Sequence, residues 1–259
     1  MNAAAPTVLV PDWTPHPSVR ALTTLRAGGV SAGPFGLADG AAGGLNLGEH
    51  VGDDPAAVRE NRARLQRLLP GAIRWLSQVH GVSVHDADGA APDAPPVADA
   101  AVATAPGTVL AVMTADCLPI LLADAHGRGV AVAHAGWRGL AAGVAEAAVD
   151  ALRARVGDDA RVQAWLGPAI GPSAFEVGDD VRDAFVAFDA DAAGAFVPGP
   201  APGKWWADLA GLARLRLAAM GVHDVTGGTL CTVSDASRFY SHRRDRRSGR
   251  FASLLWIAG

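Results

Sequence analysis

The residues of this chain best suited to chemistry are one thiol and two imidazoles, each at the end of an apolar run. They are His80 in Val79-His80-Gly81, Cys117 in Asp116-Cys117-Leu118, and His134 in Ala133-His134-Ala135-Gly136. Two His and one Cys make a three-donor set for zinc that leaves a fourth position for water or substrate. A thiolate beside an imidazole serves equally well for nucleophilic catalysis. The spacing alone leaves both readings open, along with a third in which all three are satisfied core residues. No C-x-x-C or H-x-x-x-H pattern joins them, and no H-x-H pair supports a type-3 copper cluster. The second cysteine, Cys231, reads as a small buried hydrophobe.

Positioning these groups falls to three apolar runs, 109–113, 118–123 and 129–133, which read as buried strands. The turn signal Asp124-Ala125-His126-Gly127 separates the last two and predicts a hairpin. Pairing about that turn brings Cys117 beside His134 at one rim of the sheet, with Asp116 next to them. Further strands are predicted over 7–13, 19–25, 73–76, 161–166, 229–233 and 253–257. Asp53-Asp54-Pro55 opens a helix, with Asp as cap and Pro at its start. Other helices are predicted from Gly139 to about 156, over 179–188, and over 207–220. The glycine-rich stretch 28–48 lacks a phosphate-loop pattern and reads as a lid or wall, with Arg26, Asn46 and His50 as its polar candidates. The Asp-, Pro- and Ala-rich segment 86–98 reads as a surface loop. Strands and helices interleave without an internal repeat or a clean linker. The expectation is one domain over 1–259, of class α/β (mixed α+β), with β-sheets flanked by helices.

Composition narrows the function. Half of the 259 residues are hydrophobic and 19% are charged, the balance of a globular chain. A net charge of -4 argues against a general nucleic-acid binder. No apolar run approaches the length of a membrane span, and the start lacks a basic, then apolar leader, so a cytoplasmic location is expected.

Read as motifs, the chain is more specific. Leu45-Asn46-Leu47-Gly48-Glu49-His50-Val51-Gly52-Asp53, Ser77-Gln78-Val79-His80-Gly81 and Thr114-Ala115-Asp116-Cys117-Leu118-Pro119-Ile120 occur in order. They are followed by His134-Ala135-Gly136-Trp137-Arg138-Gly139, Leu166-Gly167-Pro168-Ala169-Ile170-Gly171 and Phe239-Tyr240-Ser241-His242-Arg243-Arg244-Asp245. Together these closely resemble the YfiH-like, laccase-domain family, whose bacterial members are named purine nucleoside phosphorylase, polyphenol oxidase or peptidoglycan editing factor. The resemblance covers nearly the whole chain. It implies a fold related to cysteine-hydrolase-like proteins, with His80, Cys117 and His134 as zinc ligands. The chain departs from the family at Ser173-Ala174-Phe175, where members commonly carry Cys-Cys-Tyr.

The activity so implied is phosphorolysis of adenosine, inosine or methylthioadenosine, together with deamination of adenosine. Deamination needs a proton shuttle, and Asp116 is the candidate. Phosphorolysis needs phosphate held below the ribose, for which Arg138, Arg243 and Arg244 offer guanidinium forks. Asn46, Arg59 and His242 complete the candidate binding set. The partners expected are a purine nucleoside and phosphate, with no nucleic acid or membrane, for a monomer or homodimer. Two enzymatic alternatives use the same residues: a cysteine- or zinc-dependent amidase editing cytoplasmic peptidoglycan precursors, and a copper-dependent polyphenol oxidase. A non-enzymatic protein with a structural zinc lacks the fourth protein ligand it would need.

Overall fold

The computed structural model describes residues 5–157 and 159–259. The expected hairpin forms at its centre. Leu118–Asp124 runs antiparallel to Val130–Ala135, with Leu118 opposite Ala135 and Pro119 opposite His134. Val162–Leu166 and then Val225–Gly227 extend this sheet on one side, Ala100–Ala103 and then Val84–Asp86 on the other. A second sheet has the order Val8–Leu9, Val19–Thr24, Phe251–Ile257, Val109–Thr114, Ile73–Arg74. The third and smallest is Glu176–Gly178, Lys204–Ala207, Phe196–Pro198.

The central runs are apolar throughout because both faces of both large sheets are covered. Leu118, Ile120 and Leu122 join the cluster of helices Val144–Val156 and Leu209–Ala219. Leu121 and Ala123, on the opposite face, cluster with Leu110, Val112 and Leu255 of the second sheet. Beyond that sheet, Val109, Ala111 and Met113 meet Leu45, Leu47 and Leu65, the last on helix Pro55–Gln66. The layers therefore run helix, sheet, sheet, helix, the mixed α/β class that the interleaving predicts. Leu121 has no exposed surface. Truncating it to Ala should cost about 2–5 kcal/mol.

Several expectations need correction. The strand expected over 7–13 shrinks to Val8–Leu9, while glycine-rich Ala27–Ser31 is a strand. Its glycines serve close backbone approach: a Cβ on Gly29 would lie 2.2 Å from the carbonyl oxygen of Gly44. The helix expected from Gly139 onward is two helices, Trp137–Ala142 and Val144–Val156, broken where Gly143 takes φ +103°. No strand forms over 229–233; pairing moves to Val225–Gly227, and Cys231 makes one bridge to Ala169. The Pro/Gly loop before Lys204 is the connection of a hairpin in the third sheet, whose strands carry no strong apolar run. No helix among the described residues is long and apolar enough to cross a membrane.

Candidate active site

The two large sheets are joined by a short crossing. Val109–Thr114 lies in one, Leu118–Asp124 in the other, and Ala115-Asp116-Cys117 carries the chain between them. Asp116 takes φ +92° there, a left-handed conformation that costs a non-glycine residue about 1–3 kcal/mol. Its own groups hold the crossing in place. Thr232 Oγ1 donates to Oδ1 and the Arg243 amide to Oδ2, each at 2.6 Å, and the Ile170 amide donates to its carbonyl at 2.9 Å. Both carboxylate oxygens are engaged, so Asp116 braces the crossing, and it also lines a hollow together with Cys117.

Cys117 thus emerges at the rim, and a second carboxylate brings the histidines to it. Asp99 is fully buried and accepts from the amides of Val79, His80 and Gly81 at 3.1, 2.9 and 2.7 Å. These bonds fasten the loop in which His80 adopts φ +61°. The same carboxylate meets His134 Nδ1 at 2.8 Å, which leaves Nε2 as the available ring nitrogen. The donor atoms of His80, Cys117 and His134 all lie within 4.8 Å of one another. Cys117 Sγ is 3.7 Å from His80 Nε2, and the two imidazole rings meet edge to face at 4.7 Å. Gly136 makes this approach possible: a Cβ there would lie 2.7 Å from His80 Cδ2 and 3.0 Å from Cys117 Sγ.

The electrostatics suit an ionised sulfur. Burial works to raise the Cys117 thiol, but the charge of His134 and hydrogen bonds from both imidazoles outweigh it and hold the group at about 6. Burial likewise opposes protonation of His134, yet the thiolate and Asp99 raise it to about 9. Asp99 stays below the usual carboxylate range: burial pushes it up, and the His134 and backbone hydrogen bonds more than reverse that.

All three donors line one cavity of about 540 Å³, with Leu76, Gln78, Met113, His50, His242 and Arg250 among its other walls. Gln78 fixes its wall by bonding both the amide and the carbonyl of Met113 at 2.8 Å. A smaller hollow of about 190 Å³ shares Ala115, Cys117 and His242 with it. Trp137, Ile170, Phe175 and Leu209 make that hollow largely apolar. The departure from Cys-Cys-Tyr therefore places a plain phenyl ring on its wall.

The remaining candidates separate. His242 lines both spaces. Arg243 borders the smaller one, its guanidinium bonded to the Glu176 carbonyl at 3.1 Å and 5.6 Å from the Phe175 ring centre. Arg244 turns inward to the carbonyls of Thr232, Val233 and Phe239 and to Asp245, so it is a structural tie and not a phosphate ligand. Asn46 is fully buried; it bonds Asp53, and its Oδ1 accepts from the Arg250 amide at 2.8 Å. Arg26 is buried on the carbonyls of Gly36 and Ala236. Arg138 is exposed over the ring of Trp137, and Arg59 is exposed on helix Pro55–Gln66; neither lines either space. Sequence reasoning missed Asp99, Gln78 and Arg250. A lone acid between Ala98 and Ala100 was the available signal for Asp99, since an unpaired carboxylate is rare in an apolar run.

A layered mixed α/β fold with a His-Cys-His group open to a cavity defines a protein able to hold a metal ion at a reactive rim. Residues 20–258 match the family described as multi-copper polyphenol oxidoreductase laccase, and the chain belongs to that family. It is 56% identical over 249 residues to purine nucleoside phosphorylase PA4543 of Pseudomonas aeruginosa, and 47% identical over 252 to purine nucleoside phosphorylase YfiH of Escherichia coli K12. Each match covers 96% of this chain and 98% of the relative. The crystal structure of protein NMB0706 from Neisseria meningitidis superposes with a TM-score of 0.89 at 45% identity, over 97% of this chain and 99% of that one. The YfiH resemblance read from the motifs thus holds.

Proposed function

We propose that this protein is a zinc-dependent enzyme that phosphorolyses purine nucleosides, the whole chain acting as one catalytic domain. The observation that carries the reading is the convergence of His80, Cys117 and His134 on one cavity, in a chain 56% identical to a protein named purine nucleoside phosphorylase. The donor set fits the ion. One thiolate and two imidazoles are its preferred ligands, and the 3.7 Å between Sγ and Nε2 suits two donors about 3.5 Å apart on a tetrahedral ion. When bound, zinc supplies a Lewis acid with one position left for a reactant.

The chain's own groups do the rest. Asp99 fixes the tautomer and direction of His134, and it anchors the His80 loop. The cavity falls within the roughly 300–1,000 Å³ of small-molecule sites and screens a nucleoside from water. In the reaction a phosphate oxygen bonds to the anomeric carbon, the bond to the base breaks, and the base leaves with a proton. Arg250 brings positive charge to that cavity, beside the His50 imidazole, which burial and the neighbouring Arg250 and Arg62 hold below its ordinary value. Adenosine, inosine and methylthioadenosine are the proposed substrates. Deamination of adenosine belongs to the same reading, with Asp116, on the wall of the smaller hollow, as its proton shuttle. A cytoplasmic monomer or homodimer without nucleic-acid or membrane partners completes the proposal.

The test is to incubate the purified, metal-quantified protein with adenosine, with and without phosphate. Adenine and ribose 1-phosphate should appear only with phosphate, while inosine reports deamination. Neither product from zinc-loaded protein refutes the reading.

One observation favours a second reading, a cysteine-type amidase. Cys117, His134 and Asp99 form a thiolate, an imidazole and an orienting carboxylate in sequence. Such an enzyme should survive chelation and die on alkylation of Cys117, whereas the zinc enzyme should lose activity with its metal. A multi-copper oxidase would need several ligand groups, and the described residues offer one.

A further inference from the structure

A third space, of about 390 Å³, shares His50, His242 and Arg250 with the donor-lined cavity and opens beside it. Arg246, Arg247 and Ser248 supply most of the rest of its wall. No carboxylate lines it, and three acids close to it in the chain are engaged elsewhere. Glu49 pairs with Arg62, Asp245 with Arg244 and Arg26, and Asp53 with Ser31 and Asn46. The hollow therefore carries an excess of positive charge, although the Cys117 sulfur and Asp116 act on its Arg250.

Ser248 marks what it is built for. The residue is only 2% exposed, and its Oγ has no hydrogen-bond partner although it is buried. Buried hydroxyls are nearly always satisfied, so an unused hydroxyl on a residue that lines a basic hollow points to an acceptor that arrives from outside. The surrounding geometry is specific. Arg246 takes φ +56°, sharing a left-handed backbone only with His80 and Asp116 among the described non-glycine residues. Arg247 is tied to the Gly52 carbonyl at 3.0 Å, and Arg250 to the carbonyls of Ser248 and Gly249 at 3.0 Å each. Gly48 leaves room for the Arg250 stem, since a Cβ there would lie 2.8 Å from its Cγ.

We propose that Ser248, Arg246, Arg247 and Arg250, with His50 and His242, form a phosphate-binding subsite opening on the donor-lined cavity. Its role as the seat of the attacking phosphate rests on the phosphorolytic reading; its affinity for a phosphate group does not. Guanidinium forks and a neutral hydroxyl donor suit the oxygens of inorganic phosphate or of a phosphate ester equally.

The test uses the full-length, metal-loaded protein, titrated calorimetrically with inorganic phosphate, adenosine and adenosine 5′-monophosphate. Ser248→Ala should weaken inorganic phosphate binding by about tenfold, the loss of one hydrogen bond to a charged acceptor. The double variant Arg246→Gln with Arg247→Gln should weaken it further. Adenosine affinity should change less than about twofold, and Arg138→Gln should leave phosphate binding unaltered. Wild-type protein that binds phosphate and loses it in these variants supports the subsite even if no phosphorolysis is found, in which case the activity reading falls alone. A monophosphate that outbinds adenosine by the factor the variants remove supports the site with an ester as its natural ligand. Unchanged phosphate affinity in every variant, or no binding of either phosphate by wild type, overturns the proposal.

Discussion

The donor corner and the basic hollow beside it share a wall, yet they are built on opposite principles. At the corner, His134 lies on a strand in the centre of the larger sheet, and Cys117 sits one residue before its hairpin partner. A buried carboxylate fixes one imidazole and the loop of the other. In the hollow, most of the charge hangs from a turn, and Arg246 and Arg247 are solvent-exposed. The contrast separates two tasks. Groups that share an ion must be held to a fraction of an ångström by the sheets. Groups that greet a charged ligand can remain on a turn, where long side chains adapt.

The sharpest way to break the comparison is to remove a donor. Cys117→Ala and His134→Ala should each abolish stoichiometric zinc, measured by metal analysis, and lower nucleoside turnover by at least about 1,000-fold. Cys231→Ala should do neither, because its sulfur accepts from the Gly171 amide at 3.3 Å and lies outside the donor group. Zinc retained at full stoichiometry by Cys117→Ala would remove the ligand assignment.

Next come the parts that hold the donors. Asp99→Asn replaces two acceptor oxygens by one and faces an amide toward backbone N–H donors. Zinc affinity should fall by about 10–100-fold in competition with a chromogenic chelator. Gly136→Ala should reduce turnover while leaving the circular dichroism spectrum unchanged, since its methyl strikes only His80 and Cys117. A fully active Gly136→Ala enzyme would mean that the corner yields more than its packing allows.

A milder probe is the pH dependence of the metal-free protein. The Cys117 thiol is lowered by folding, so its stabilising contribution is lost as pH falls through about 6. His134 is raised, so its contribution is lost as pH rises through about 9. The two losses run in opposite directions across the same interval and largely offset, so melting temperature should stay nearly level between about 6 and 9, whereas Cys117→Ala, left with the His134 contribution alone, should lose stability as pH rises through it. A wild-type profile as steep as that of the variant would contradict the ion pair.

The smallest effects contrast two adjacent arginines. Arg244→Gln breaks inward bonds to three carbonyls and should cost about 2 kcal/mol of stability in denaturant unfolding. Arg243→Gln, on an exposed side chain, should cost under about 0.5 kcal/mol. Equal costs would show that the inward ties carry little.

These neighbours also show where sequence reading stops. The hairpin was legible because a turn signal lay between two apolar runs, and the donors because each ended a run. That the run at Val109–Thr114 belongs to a different sheet was not legible, since two covered faces erase the alternation that distinguishes one face from the other. Arg243 and Arg244 are equivalent as letters; only the short helix His242–Asp245 decides which turns inward. Asp99 gains its role from loops and strands far away in the chain, and no local pattern encodes such partners. The glycine-rich stretch from Gly28 to Gly48 reads as a lid or wall, yet Gly29, like Gly136, is there for tight contact.

The crossing at Ala115-Asp116-Cys117 has a mechanical consequence. An ion shared by His80, Cys117 and His134 would rivet a loop, the passage between two layers and a central strand at a single point. Occupancy should then be felt far from the chemistry, as slower separation of the two sheets when the protein is heated or pulled. Metal supply would set the lifetime of the fold as well as the turnover of the enzyme.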